Sequence, residues 1–292
     1  MQRLILGVIL LVCTLSAQEA PTFTRQEDVI YGRKHGTALT LDVFEPAKKN
    51  GCGIVYMVSG GWFSSHASVN AANYKVYLDR GYTVFAVVHG SQPKFHIPEA
   101  QADVHRAVRF IRSNAAKWNV APDKLGVTGG SAGGHLSLSL GTQGAPGPAD
   151  SKDPVDRQSS AVQAVACFYP PTDFLNYGRE GEDATGVGTL KNYKGAFGPR
   201  VDSDEDRRKY AREISPIYHI TKGTPPTLII HGDADLLVPI YQAQSFIERA
   251  QAAGVKAKLV VKKGAAHGWK DMGADMVLLA DWFDEHLRGG KN

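Results

Sequence analysis

Leu125-Gly126-Val127-Thr128-Gly129-Gly130-Ser131-Ala132-Gly133-Gly134-His135 is the stretch whose reading decides the fold. Leu125–Thr128 reads as a short apolar strand, and His135–Leu140 opens a helix. Between them Gly129–Gly133 fits G-x-S-x-G, a pattern that carries chemistry when it joins a strand to a helix. A serine on so sharp a turn projects its hydroxyl beyond the sheet, and small neighbours let the backbones approach. The N–H of Ala132 falls at a helix N-terminus, where unpaired donors and the helix dipole favour an oxyanion.

On both sides of this turn the chain alternates strands with helices. Leu39–Phe44 alternates apolar and polar residues within a two-strand region over residues 21–50. Gly53–Val58 and Tyr82–Val88 are continuous apolar runs, as strands buried on both faces should be. The pattern predicts a helix over Asn70–Arg80 and a longer amphipathic one over Pro98–Trp118. Further strands are expected at Ala161–Tyr169, Thr227–His231 and Ala257–Lys262, with helices at Ile240–Ala253 and Asp275–Leu287. This is an α/β fold with a mostly parallel central sheet flanked by helices. Two stretches break the rhythm: the Gly/Pro/Asp-rich Gln143–Ser160, and Thr172–Arg212. The second is too long for an ordinary connection and reads as a polar, cap-like insertion over the site.

A chain of 292 residues without internal repeats suits one domain, expected over residues 23–288. Its 43% hydrophobic and 21% charged residues exclude a disordered or fibrous protein. The net charge of +4 is spread without a basic run, which weighs against a nucleic-acid partner. Residues 1–17 read as a secretory signal peptide: Arg3, the apolar Leu4–Val12, then small residues, with cleavage after Ser16 or Ala17. The apolar run is shorter than the ~20 residues that span a bilayer. Val12 also disfavours a lipoprotein cut before Cys13. A secreted or periplasmic protein without stable membrane insertion is therefore expected. The sequence is silent on its oligomeric state. Cys52 and Cys167 remain after cleavage, each in an apolar run that favours a small buried hydrophobe over a disulfide. No histidine–cysteine spacing suggests a metal, and no cofactor is expected.

Two segments supply partners for Ser131. His231-Gly232-Asp233-Ala234-Asp235-Leu236-Leu237-Val238-Pro239 puts carboxylates just past one strand, and Gly264–Trp269 puts His267 in a glycine-rich loop past another. The chain order Ser131, Asp235, His267 is that of the α/β-hydrolases. All three fall at C-terminal strand ends, where open parallel sheets bind ligands.

From about Val29 to Leu287 the chain resembles the α/β-hydrolase fold. Within it, Gly129–Gly134, His231–Pro239 and Ser59–Trp62 (SGGW) resemble the serine carboxylesterases of the hormone-sensitive-lipase-like and feruloyl-esterase-like (BD-FAE-type) groups. That family carries its acid three residues before Val-Pro, which selects Asp235 over Asp233. The resemblance implies oxyanion donors at Gly60, Gly61 and Ala132. The chain departs from the family's His-Gly-Gly-Gly segment: Val58 stands at the histidine and Ser59 at the first glycine. Trp62, His66 and Trp269 are candidate substrate contacts, with packing or a loop position as their plainer readings. Asp173 reads as a turn cap, and His135 as a packing residue on the helix after Ser131.

These features point to an exported serine carboxylic-ester hydrolase acting on short-chain or carbohydrate-linked acyl esters, acetyl or feruloyl. The alternatives are a serine peptidase or arylformamidase-like amidase of the same fold, and a non-catalytic binding protein that kept it. The charged insertion lacks the apolar stripe of an interfacial lid, which disfavours a lipase.

Overall fold

The computed structural model describes residues 22–289, so the expected signal peptide lies outside the described residues. Its strands are β1 (Phe23–Lys34), β2 (Thr37–Pro46), β3 (Gly53–Val58), β4 (Thr83–Val88), β5 (Leu125–Thr128), β6 (Ala164–Phe168), β7 (Thr227–Gly232) and β8 (Ala257–Lys262). They form one eight-stranded sheet in the order β1-β2-β4-β3-β5-β6-β7-β8. The β1–β2 and β2–β4 pairings are antiparallel, and every pairing from β4 to β8 is parallel. The helices are α1 (Lys75–Leu78), α2 (Ile97–Ser113), α3 (Ala132–Gln143), α4 (Lys194–Phe197), α5 (Asp204–Ile214), α6 (Tyr241–Ala252) and α7 (Met272–Leu287).

The central strands β3 to β7 are largely apolar because each face meets a helical layer, whereas the edge strands β1 and β8 carry charged, exposed residues. Along β3, Val55 and Met57 join one core with Val104 and Val108 of α2, Leu136 of α3 and Phe246 of α6. Ile54 and Val58 join the other, with Tyr77 and Leu78 of α1 and Leu279 and Phe283 of α7. That split is the two-residue period of a strand. Cys167 sits in the first core and Cys52 in the second; both are buried and unpaired. No helix among the described residues is long and apolar enough to cross a membrane.

The structure corrects several expected elements. Asn70–Arg80 is not one helix: Asn70 caps a 3-10 turn over Ala71–Tyr74, and only α1 follows. The Pro98–Trp118 helix stops at Ser113, and Asn114 leads into a separate 3-10 turn over Ala115–Trp118. The 172–212 insertion is polar only on its outside. Phe174, Tyr177, Leu190, Phe197 and Tyr210 are buried in a third core that includes Trp62, Ala132 and Val238. Its charges pair with one another, as in Arg200 with Asp206 and Glu213, and Arg207 with Asp183.

Candidate active site

Sterics dictate the turn after β5. Ser131 adopts φ 54° and ψ −121°, a strained conformation for a residue with a Cβ, costing ~1–3 kcal/mol. Its neighbours hold it there: its N–H donates to the Phe168 carbonyl (3.1 Å), and its own carbonyl accepts from His135 N–H (2.9 Å). A Cβ on Gly129 would stand 2.7 Å from the Gly133 backbone, and one on Gly133 would stand 2.9 Å from the Met57 carbonyl oxygen. Only glycine fits where β3, the turn and α3 converge. Ala132 is the first residue of α3, so the helix offers its N–H no acceptor.

Ser131, His267 and Asp235 form one hydrogen-bonded line. Ser131 Oγ lies 2.9 Å from His267 Nε2, and His267 Nδ1 lies 2.7 Å from Asp235 Oδ2. The other Asp235 oxygen, Oδ1, accepts from the N–H groups of Leu237 and Val238, both at 2.9 Å. Burial alone would raise the Asp235 pKa. Hydrogen bonding from His231 and His267 and from the Val238 N–H outweighs burial and holds the carboxyl well below the usual carboxylate range. An ionised Asp235 keeps the proton of neutral His267 on Nδ1, so Nε2 is free to accept from Ser131. Asp233 is not in this line. Its exposed carboxylate accepts from Gly264 N–H (2.6 Å) and ties down the loop that carries His267. Tyr169, with φ 33°, packs its ring 4.5 Å from the His267 imidazole.

Ser131 and His267 open into a cavity of about 540 Å³. Gly60 and Gly61 line it with Phe63 and the insertion's Tyr193, as do Tyr56, Tyr77, Thr128 and Met276. The Tyr77 hydroxyl is buried beside Thr128. The two glycines are not equivalent. The Gly60 N–H donates to the Phe63 carbonyl (3.0 Å), which takes it out of the expected donor set and leaves Gly61 and Ala132.

The three expected substrate contacts lie elsewhere. Trp62 is buried and absent from the cavity wall, because positive φ at Gly61 and Trp62 turns the indole into the insertion's core. There its Nε1 donates to His135 Nδ1 (3.2 Å). His66 faces Asp42 Oδ1 (3.2 Å), away from the cavity lining. Trp269 donates to Asp275 (2.6 Å) and packs on Phe168 and Tyr169. Asp173 accepts from the Leu175 N–H and the Tyr218 hydroxyl. Tyr56, Tyr77, Tyr169 and Tyr193 were not legible as wall residues from the sequence. Tyr169 alone carries a signal, as the last residue of the expected strand Ala161–Tyr169. Among the described residues one group has metal-like spacing, Asp28, Asp42 and His66. Arg25 and the Asp28 N–H already satisfy Asp42, so the group reads as a hydrogen-bonded ion-pair cluster.

The geometry agrees with comparisons to known proteins. The BD-FAE family model matches residues 41–249, a span that holds Ser131, Asp235, Gly60 and Gly61. The chain belongs to the BD-FAE family. Its fold is the α/β-hydrolase fold. A truncated form of a carbohydrate esterase from gut microbiota superposes with a TM-score of 0.75 at 27% identity, covering 90% of this chain and 96% of that one. Butyrate-bound esterase 2 of Thermogutta terrifontis superposes at 0.68 with 28% identity, covering 91% and 95%. The probable carboxylic ester hydrolase LipM of Mycobacterium tuberculosis is 27% identical over 232 residues, 78% of this chain and 52% of LipM. The chain thus spans about half the length of that curated relative.

Proposed function

We propose that this BD-FAE protein is a serine carboxylic-ester hydrolase acting on short-chain or carbohydrate-linked acyl esters. The observation that carries the reading is the unbroken line Ser131–His267–Asp235, with Ser131 and His267 lining a cavity that Gly61 also lines. Ser131 Oγ attacks the ester carbonyl carbon as His267 Nε2 takes its proton. The Gly61 and Ala132 N–H groups receive the tetrahedral oxyanion, each such donor being worth ~3 kcal/mol of barrier. Collapse breaks the bond to the alcohol, which leaves with the proton from His267. Water then gives a proton to His267 and attacks the acyl-enzyme; the acid leaves and Ser131 recovers its proton. Asp235 stays ionised and steadies the imidazolium.

The cavity bears on the acyl group. Aromatic and methionine walls suit an acyl group, and the hydroxyls of Tyr56, Tyr77 and Thr128 suit one that carries oxygen. A volume of about 540 Å³ has room for an acetyl, butyryl or single-ring acyl group. The carbohydrate esterase and the butyrate-bound esterase among the structural relatives agree with this class. The basic-then-apolar N-terminus supports export.

The test is a hydrolysis panel on purified protein: p-nitrophenyl acetate, butyrate and laurate, methyl ferulate and acetylated xylan. Turnover of the short or oxygenated esters, abolished in Ser131→Ala, is the expected result. Silence across the panel, or an active Ser131→Ala, overturns the reading.

A further inference from the structure

The segment that carries Gly61 departs from the His-Gly-Gly-Gly pattern of the family it resembles: its first position is not histidine. Val58 stands there, 4% exposed and packed in the apolar core beneath the sheet, where it contributes no polar contact from its side chain. The parallel register between β3 and β4 pairs Val58 with Val88, so the next residues, Ser59 and His89, emerge side by side. They are hydrogen-bonded: His89 Nε2 lies 2.8 Å from Ser59 Oγ.

The chemistry of that bond is fixed by the other side of the ring. His89 Nδ1 lies 2.8 Å from the Gly90 carbonyl, which only accepts, so Nδ1 carries the hydrogen. Nε2 is then an acceptor, and the Ser59 hydroxyl donates to it. His89 is 3% exposed, and burial, with Lys34 nearby, lowers its pKa to about 4 despite the Gly90 bond. The ring is therefore neutral near pH 7. Further bonds join the same two segments. Ser64 Oγ donates to the Val58 carbonyl (2.5 Å) and accepts from the His89 N–H (3.1 Å). The Gln92 side chain donates to the Gly61 carbonyl, and its N–H donates to the Trp62 carbonyl (3.2 Å). The Gly61 peptide thus rests on the segment after β4 rather than on the head of its own segment.

We propose that His89 is a positioning residue for the oxyanion site: its hydrogen bond from Ser59 replaces, from the neighbouring strand, the missing histidine and sets where the Gly61 N–H points. This rests on the esterase reading for its kinetic consequence, but not for its structural one. Neither side chain touches the reacting atoms in this role. Losing the bond relaxes the loop, so the cost falls on the transition state, where the oxyanion exists, more than on ground-state binding.

Three variants separate the possibilities. Ser59→Ala removes the donor, and His89→Phe removes the acceptor at similar volume. His89→Gln keeps an oxygen near the position of Nε2. Ser59→Ala and His89→Phe are expected to lower kcat on p-nitrophenyl butyrate by about tenfold or more with KM little changed, the split that loss of a transition-state-only interaction gives. His89→Gln is expected to recover most of that loss. The Ser59→Ala/His89→Phe double variant is expected to be no worse than His89→Phe alone, since the one bond that Ser59→Ala deletes is already lost there. Amide hydrogen exchange over residues 59–64 is expected to speed up in both disruptive variants, a readout that needs no substrate. Unchanged exchange in Ser59→Ala overturns the proposal, as does faster exchange with wild-type kcat. If the wild-type protein hydrolyses no ester but exchange rises as expected, the esterase reading fails and the bracing stands. If His89→Phe does not fold, Ser59→Ala, a deletion of one oxygen, decides alone.

Discussion

Replacing Asp235 by asparagine changes one atom and should cost almost all of the activity. The reason lies in how both carboxylate oxygens are committed. Oδ1 sits under the N–H groups of Leu237 and Val238, and Oδ2 faces His267 Nδ1 at 2.7 Å. In the variant the amide oxygen must stay under the two N–H groups, because an NH2 there would set donor against donor. The new NH2 then faces His267 and donates to Nδ1. The imidazole proton moves to Nε2, and the nitrogen 2.9 Å from Ser131 Oγ becomes a donor that accepts nothing. Loss of the correct tautomer at an intact site costs ~10⁴ in kcat, or ~5–6 kcal/mol of barrier. Asp233→Asn is the matched control: an amide oxygen still accepts from Gly264 N–H, and kcat should stay within assay error. Both variants are assayed by p-nitrophenolate release at mildly alkaline pH, with thermal melts to verify the fold. An Asp235→Asn enzyme within about tenfold of wild type, or an Asp233→Asn enzyme that loses activity, refutes the reasoning.

Two further expectations concern the cavity and the core. Tyr77→Phe removes a hydroxyl from the cavity lining beside Thr128. The variant's preference for a methoxyacetyl over a butyryl ester should fall several-fold, by ~1 kcal/mol; an unchanged ratio counts against Tyr77 as an acyl contact. Burial also pushes His89, His105 and His135 down to about 4, against 6.5 for an unperturbed imidazole. The unfolded chain therefore binds more protons in this window. The stability from keeping these rings neutral is present above pH ~6.5 and is lost as pH falls towards 4, at up to ~1.4 kcal/mol per pH unit for each histidine. Urea denaturation midpoints that stay level between these limits contradict the neutral burial of the three rings.

The sheet and its switch from strand to helix were legible because they rest on local rules. Strands buried on both faces are apolar runs, and Gly129 and Gly133 are small where a Cβ would strike backbone. The acid and histidine were legible because each follows a strand end in a fixed order. What escaped depends on where a backbone turns and what it meets afterwards. Gly60 and Gly61 are identical letters, yet only one N–H is taken by Phe63. Trp62 reads as a platform beside the site until two successive positive φ values aim it into the insertion's core. That core was hidden in turn. Phe174 and Tyr177 sit in irregular chain and Phe197 ends a single helical turn, so no helical or strand period marks them. Tyr210 shares a buried face of α5 with Ala211 and Ile214, but that helix is too rich in charge for three positions to stand out. The loss of a motif residue was visible at Val58. Its replacement was not, because His89 lies 31 residues along the chain from Val58 and is brought beside Ser59 only by the parallel register of β3 and β4. A motif read along the chain records which groups a site needs, but a parallel sheet lets any strand end deliver them. A broken motif in this fold is therefore a reason to read the residues at the neighbouring strand's end before concluding that the site is broken.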